Sequence, residues 1–203
     1  MTSPLTIRDP LADELLTPEN AALVIIDFQP VQVASIVSME RRILLANVVA
    51  VPKTARLFGL PVVLSTVNVN TGLNQPTVHQ LTEVLPDIVP IDRTSINAWE
   101  DAGFAAAVKA TGRKKLIMVA LWTEVCLVFP ALDALREGFE VYPVADAVGG
   151  TSMEAHRAGL DRIIQAGAKP ISWIQLACEL QRDWARKDTA QHFAEIVFAS
   201  IHP

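Results

Sequence analysis

Leu116 to Leu121 form an unbroken apolar run, LIMVAL, introduced by Lys114 and Lys115 and followed by Trp122 and Thr123. So short a run, with no polar residue to give it a helical stripe, reads as a strand buried on both faces. Such a strand needs a layer of helices on each side of its sheet, which limits the chain to the α/β class. The next residues, TEVCLVFPALDALREG, have helical spacing as far as Gly138, with Thr123 as the expected N-cap. Cys126 then falls in the first turn of a helix that leaves the carboxyl end of a central strand. The helix dipole and the unpaired N–H groups of that turn favour a thiolate.

The rest of the chain alternates in the same way. AALVIID (Ala21 to Asp27) reads as a buried strand ending on a carboxylate, and Met39 to Phe58 as a helix that Pro52 bends or interrupts. Further strands are expected at Pro61 to Val69, Ile88 to Ile91, Phe139 to Val144 and Lys169 to Ile174. Helices are expected around Val78 to Leu85, Trp99 to Ala110, Met153 to Ala166, Gln175 to Ala185 and Thr189 to Ala199. The expectation is a three-layer sandwich with a six-stranded, mainly parallel sheet in the order 3-2-1-4-5-6. Residues 1–20, punctuated by Pro4, Pro10 and Pro18, read as an N-terminal arm. Residues 21–203 read as a single domain that ends in a helical tail.

Composition narrows the function classes. With 203 residues, 51% of them hydrophobic, one sizeable core accounts for the chain. A net charge of -5 offers no basic footprint for nucleic acid. No apolar run approaches the roughly 20 residues that span a bilayer. The N-terminal residues lack the basic and apolar pattern of a secretory signal, and two cysteines make no disulfide framework, so a cytoplasmic protein is expected. A mean hydropathy of +0.32 is high for a small monomer and points to subunit interfaces.

In a doubly wound sheet, ligands sit outside the carboxyl ends of the strands. Asp27 closes the first strand, Arg93 follows the third and Cys126 follows the fourth. With strands one and four adjacent, Asp27 and Cys126 face each other across the crevice. Asp27 is then either a general base or a helix N-cap, and Cys126 a nucleophile or a core thiol. Arg93 either lowers the pKa of both groups or lies on the surface. Trp122 is close enough to Cys126 to wall a pocket. Cys178, in WIQLACELQRDW, reads as core or interface. His79, His156, His192 and His202 have no ligand spacing, and the chain lacks both a C-x-x-C pair and a G-x-S-x-G elbow. Neither metal nor cofactor is expected.

These residues resemble the isochorismatase-like superfamily of cysteine hydrolases, from about Ala21 to Trp184. VIIDFQ is similar to the family's first-strand motif and TEVC to its nucleophile motif, and DALREGFEVYPVADAVGG follows at the family's spacing. INAW, VKATGRKKLI, FPAL and ACELQRDW resemble the YcaC-type subgroup. The resemblance implies a catalytic triad of Asp27 as base, Cys126 as nucleophile and Arg93 where most members carry lysine. It implies a cis peptide between Leu121 and Trp122, and an oxyanion hole made by the N–H groups of Trp122 and Cys126. Gln29, Trp122 and Thr123 become candidate substrate-binding residues. The implied activity is hydrolysis of a small amide or ester through a thioester, by a homo-oligomer, tetramer or octamer. A non-covalent isochorismatase-type hydrolase and a non-catalytic redox-sensing or assembly protein stay open beside it. TVNVNTGLNQPTVH lacks the Asp and His pair that holds a metal in nicotinamidase-like members.

Overall fold

The computed structural model describes residues 8–201. Five parallel strands form the sheet, in the order β3-β2-β1-β4-β5. They are β1 (Ala21–Ile26), β2 (Val62–Val67), β3 (Ile91–Arg93), β4 (Lys115–Ala120) and β5 (Glu140–Pro143). Every residue of β1 and β4 is buried, as the apolar runs require of central strands covered on both faces.

The helices are α1 (Pro30–Ala34), α2 (Arg41–Leu57), α3 (His79–Thr82), α4 (Ala102–Ala110), α5 (Val128–Arg136), α6 (Met153–Gln165), α7 (Trp173–Gln181) and α8 (Lys187–Ile201). α2 packs against α7 and α8, and α5 against α6. None of the helices among the described residues is long and apolar enough to cross a membrane.

Four expectations need correction. The sheet has five strands rather than six. The segment expected as strand six runs beside β5 and bonds to it, Ile171 N–H to the Pro143 carbonyl at 3.0 Å, but makes only an isolated bridge. Ser172 ends it, because its hydroxyl accepts from the Gln175 N–H and starts α7. β3 begins where Ile88 to Ile91 was expected to finish, since its pairing with β2 runs from Ser65↔Ile91 to Val67↔Arg93. Val89 stays exposed. α2 passes through Pro52 without ending, its inner face held by burial of Val48, Val51 and Ala55. Cys178 is exposed on the single chain, which overturns the core half of the core-or-interface reading.

Residues 8–20 of the expected arm are fastened under the amino end of the sheet; residues 1–7 lie outside the described residues. The buried Lys115 ammonium donates to the carbonyls of Asp13, Glu14 and Leu15. The Leu16 N–H donates to Glu179 at 2.7 Å, and Arg182 pairs with Asp13 at 3.0 Å. This buried polar knot lies at the end of β4 opposite Cys126.

Candidate active site

The sheet order explains how residues so far apart in sequence meet. Ile26 is in register with Ser65 and with Ala120, so β1, β2 and β4 end level, and Val67 pairs with Arg93 one strand further out. Arg93 and Asp27 are therefore separated by two strand spacings, about 10 Å. Only a long cationic side chain crosses that gap. Arg93 does so: Nη2 donates to Asp27 Oδ2 at 2.5 Å, and Nη1 donates to the Ser95 and Ile96 carbonyls. Both side chains of this ion pair are fully buried. Asp27 leaves β1 in the left-handed region, at φ 59°, which aspartate tolerates better than most residues.

Cys126 reaches the same point from β4. The Leu121–Trp122 peptide is cis. Thr123–Leu127 then form a π-helical turn, closed by the Leu127 N–H bonding to the Trp122 carbonyl at 3.2 Å, and α5 continues from it. Cys126 therefore sits in a wide turn ahead of the α-helix, not in the helix's own first turn. The expected cap is also absent: the Thr123 hydroxyl pairs with His156 Nδ1 at 2.9 Å. A π-turn at a reactive position is a frequent device for re-aiming a side chain.

The thiol of Cys126 lies against the Asp27 carboxylate, and the Trp122 N–H is directed at the sulfur. Burial is the largest influence on both acids and pushes both pKa values up. For Asp27, the Arg93 charge and the thiol contact oppose that rise. For Cys126, the Asp27 charge adds to it, while the Trp122 N–H and Arg93 oppose it. Arg93 thus acts in the expected direction on both groups, but burial outweighs it. Burial beside the carboxylate holds the thiol above its usual range, which favours the protonated thiol over a free thiolate.

The remaining sequence candidates have other partners. Gln29 is fully buried, with Nε2 on the Val67 and Gln75 carbonyls and Oε1 on the Val67 N–H. That amide ties the loop after β1 to the loop after β2 and has no donor left for a substrate. Thr123 is also fully buried, its N–H donating to the Gly149 carbonyl at 2.8 Å. The Trp122 indole donates to Ser35 Oγ at 2.6 Å and joins the π-turn to the end of α1.

Sequence reasoning did not find the packing that holds the π-turn, although VGGTS carried a signal for it. Glu124 Oε1 accepts from the N–H and the hydroxyl of Thr151. Gly150 is the close approach that allows this: a Cβ there would lie 2.6 Å from Glu124 Oε2 and 3.0 Å from the His156 backbone. Gly159 of α6 likewise faces the Glu124 backbone, at 3.0 Å from a would-be Cβ.

A parallel sheet with a buried Asp–Arg pair and a cysteine at its carboxyl edge places the chain among α/β enzymes that carry their site at the strand ends. The isochorismatase domain model matches residues 21–175, and the chain belongs to the isochorismatase family of hydrolases. Within that family it is similar to the Probable hydrolase YcaC of Escherichia coli, with 41% identity over 83% of this chain and 81% of that protein. The crystal structure of Escherichia coli YcaC, described as an octameric hydrolase of unknown specificity, superposes with a TM-score of 0.81 at 36% identity, covering 92% of this chain and 96% of that one. Pseudomonas aeruginosa YcaC, with hexane-2,5-diol and covalent acrylamide, matches over the same shares at 34% identity and a TM-score of 0.81.

Proposed function

We propose that this chain is a cysteine-dependent hydrolase of a small amide or ester, working through a thioester on Cys126. The observation that carries the reading is the buried line from Arg93 through Asp27 to the Cys126 thiol. Asp27 takes the thiol proton as sulfur attacks the carbonyl carbon and a C–S bond forms. The oxyanion meets the N–H groups of Trp122 and Cys126, each such donor being worth roughly 3 kcal/mol in a transition state. Collapse breaks the C–N or C–O bond, and Asp27 returns the proton to the departing amine or alcohol. Water, deprotonated by the same carboxylate, then attacks the thioester carbon; the C–S bond breaks, the acid leaves and Asp27 returns the proton to the Cys126 sulfur. Arg93 keeps the carboxylate oriented and balances its charge; a guanidinium in this role does not shuttle protons.

The Pseudomonas aeruginosa relative carries covalent acrylamide, so a protein of this kind holds a nucleophile that acrylamide can trap, as the reading requires of Cys126. Mass spectrometry after acrylamide treatment should find an adduct on Cys126, and Cys126→Ala should lose both the adduct and turnover of activated amides and esters. Full turnover by Cys126→Ala would instead favour the non-covalent isochorismatase-type reading.

Assembly is proposed on the same footing. Trp184 and Phe198 stand exposed at the carboxyl end of the chain, an apolar surface of the kind that subunit contacts cover. With the octameric Escherichia coli relative, this supports a homo-oligomer.

A further inference from the structure

We infer that the substrate is uncharged over the whole portion that enters the site, an amide or ester with no carboxylate or phosphate near the scissile bond. This deepens the cysteine-hydrolase reading and rests on it.

The argument comes from the charges on the carboxyl edge of the sheet. Segments 27–38, 68–78, 94–97, 121–127 and 144–152 follow the five strands and so lie at the carboxyl edge of the sheet, where Cys126 sits. They contain no lysine and no arginine. The cation at this edge is Arg93, the last residue of β3. It is fully buried and already bonded to Asp27 and to the carbonyls of Ser95 and Ile96. An anionic group arriving at the sulfur would have to compete with Asp27 for it.

The same segments carry three carboxylates: Asp27, Glu124 and Asp146. Glu124 accepts from the Thr151 N–H, and Asp146 from the Trp173 N–H at 2.8 Å. These acids brace backbone, yet their charge adds to a field that repels anions. A carboxylate placed in this mouth would lose its hydration without gaining a cation, which is the costliest way to bury a charge.

What the rim does offer is apolar and neutral. Val31, Val37, Leu73 and Ile96 are exposed on the segments after β1, β2 and β3. The 68–78 segment is rich in asparagine, glutamine and threonine. It is pinned at both ends, by Gln29 on Val67 and Gln75 and by Asp92 on the N–H groups of Val69 and Asn70. A fixed loop of neutral amides with an apolar tip suits an uncharged ligand. The cation just beyond the first segment, Arg41, reaches back to the Ala34 carbonyl at the end of α1, at 2.9 Å and on the solvent side.

Paired alkylation of the intact protein by iodoacetamide and iodoacetate tests this. Both reagents form a bond from sulfur to carbon, expel iodide and release the thiol proton; they differ in amide against carboxylate. Peptide mapping gives both rates for Cys126 and, in the same molecules, for the exposed Cys178. The preference for iodoacetamide at Cys126 should exceed that at Cys178 by about tenfold or more, the factor expected when an unpaired carboxylate is desolvated. Equal preference at the two cysteines, or faster iodoacetate attack at Cys126, would overturn the inference while leaving the nucleophile in place. Failure of Cys126 to react with either reagent while Cys178 does would remove the nucleophile, and the inference with it.

Discussion

Replacing Asp27 by Asn leaves the shape of the site unchanged and removes a single negative charge, and its effect on the thiol runs against intuition. Deleting a general base ordinarily leaves its partner protonated. Here burial raises the Cys126 pKa first, and the Asp27 charge and contact raise it further. Arg93 and the Trp122 N–H act in the opposite direction and remain after the substitution. At a contact distance of about 4 Å and an effective dielectric of about 20, losing the carboxylate charge is worth about 4 kcal/mol. That changes the thiol-to-thiolate ratio by about a thousandfold. The buried guanidinium, deprived of its carboxylate, also gains a counter-ion if the sulfur ionises. The Asp27→Asn protein should therefore show thiolate absorbance near 240 nm at a pH where the native protein shows none, after subtraction of matched Cys126→Ala controls. Turnover should nevertheless be lost, because no group is left to protonate the leaving amine or alcohol.

The stability signs follow from the same shifts. In the native protein the thiol pKa is raised on folding, so its contribution is complete below the free-thiol value, about 8.5, and fades as pH rises past it. In the variant burial still raises the thiol pKa, though by less, so the contribution keeps its sign, becomes smaller and is lost by a lower pH as pH rises. Melting temperature should fall with alkaline pH in both proteins, less steeply and over a narrower pH range in the variant. If the Asp27→Asn thiol titrates as in the native protein, the Asp27 charge is not what helps to raise its pKa, and the reasoning fails.

Gly150→Ala places a methyl group against Glu124 Oε2 and the His156 backbone, neither of which can rotate away freely. A loss of about 1–3 kcal/mol in denaturant unfolding is expected, with a fall in Cys126 alkylation rate as the π-turn shifts; a variant native in both respects would show that the turn does not depend on this contact. Light scattering of the purified chain should give a multiple of the 22.1 kDa monomer mass, and Phe198→Glu should reduce it. A monomeric native protein would contradict the oligomer reading.

Much of this molecule can be read directly from residue order. The apolar runs at Ala21 to Ile26 and Leu116 to Leu121 specify central strands, because only burial on both faces accommodates them. The carboxylate after one and the cysteine after the other already lie at strand ends, on the edge where parallel sheets bind ligands. The uneven division of charge around this edge, three carboxylates against the single cation Arg93, is likewise a property of composition by segment.

Other features depend on contacts between distant segments. The register of β3 against β2 put Arg93 at a strand terminus, which local apolarity places two residues early, at Ile91. The Ser172 cap cut short a sixth strand that β-propensity alone favoured. The π-turn at Cys126 follows from Gly150 and Gly159 letting neighbouring backbone close on Glu124, which no helical periodicity records. The protonation of the thiol depends on such contacts too. A helix start and a nearby arginine argue for a thiolate, but burial beside a carboxylate argues harder for the acid. Burial is a property of the packed chain, because it depends on every element that excludes water from the sulfur.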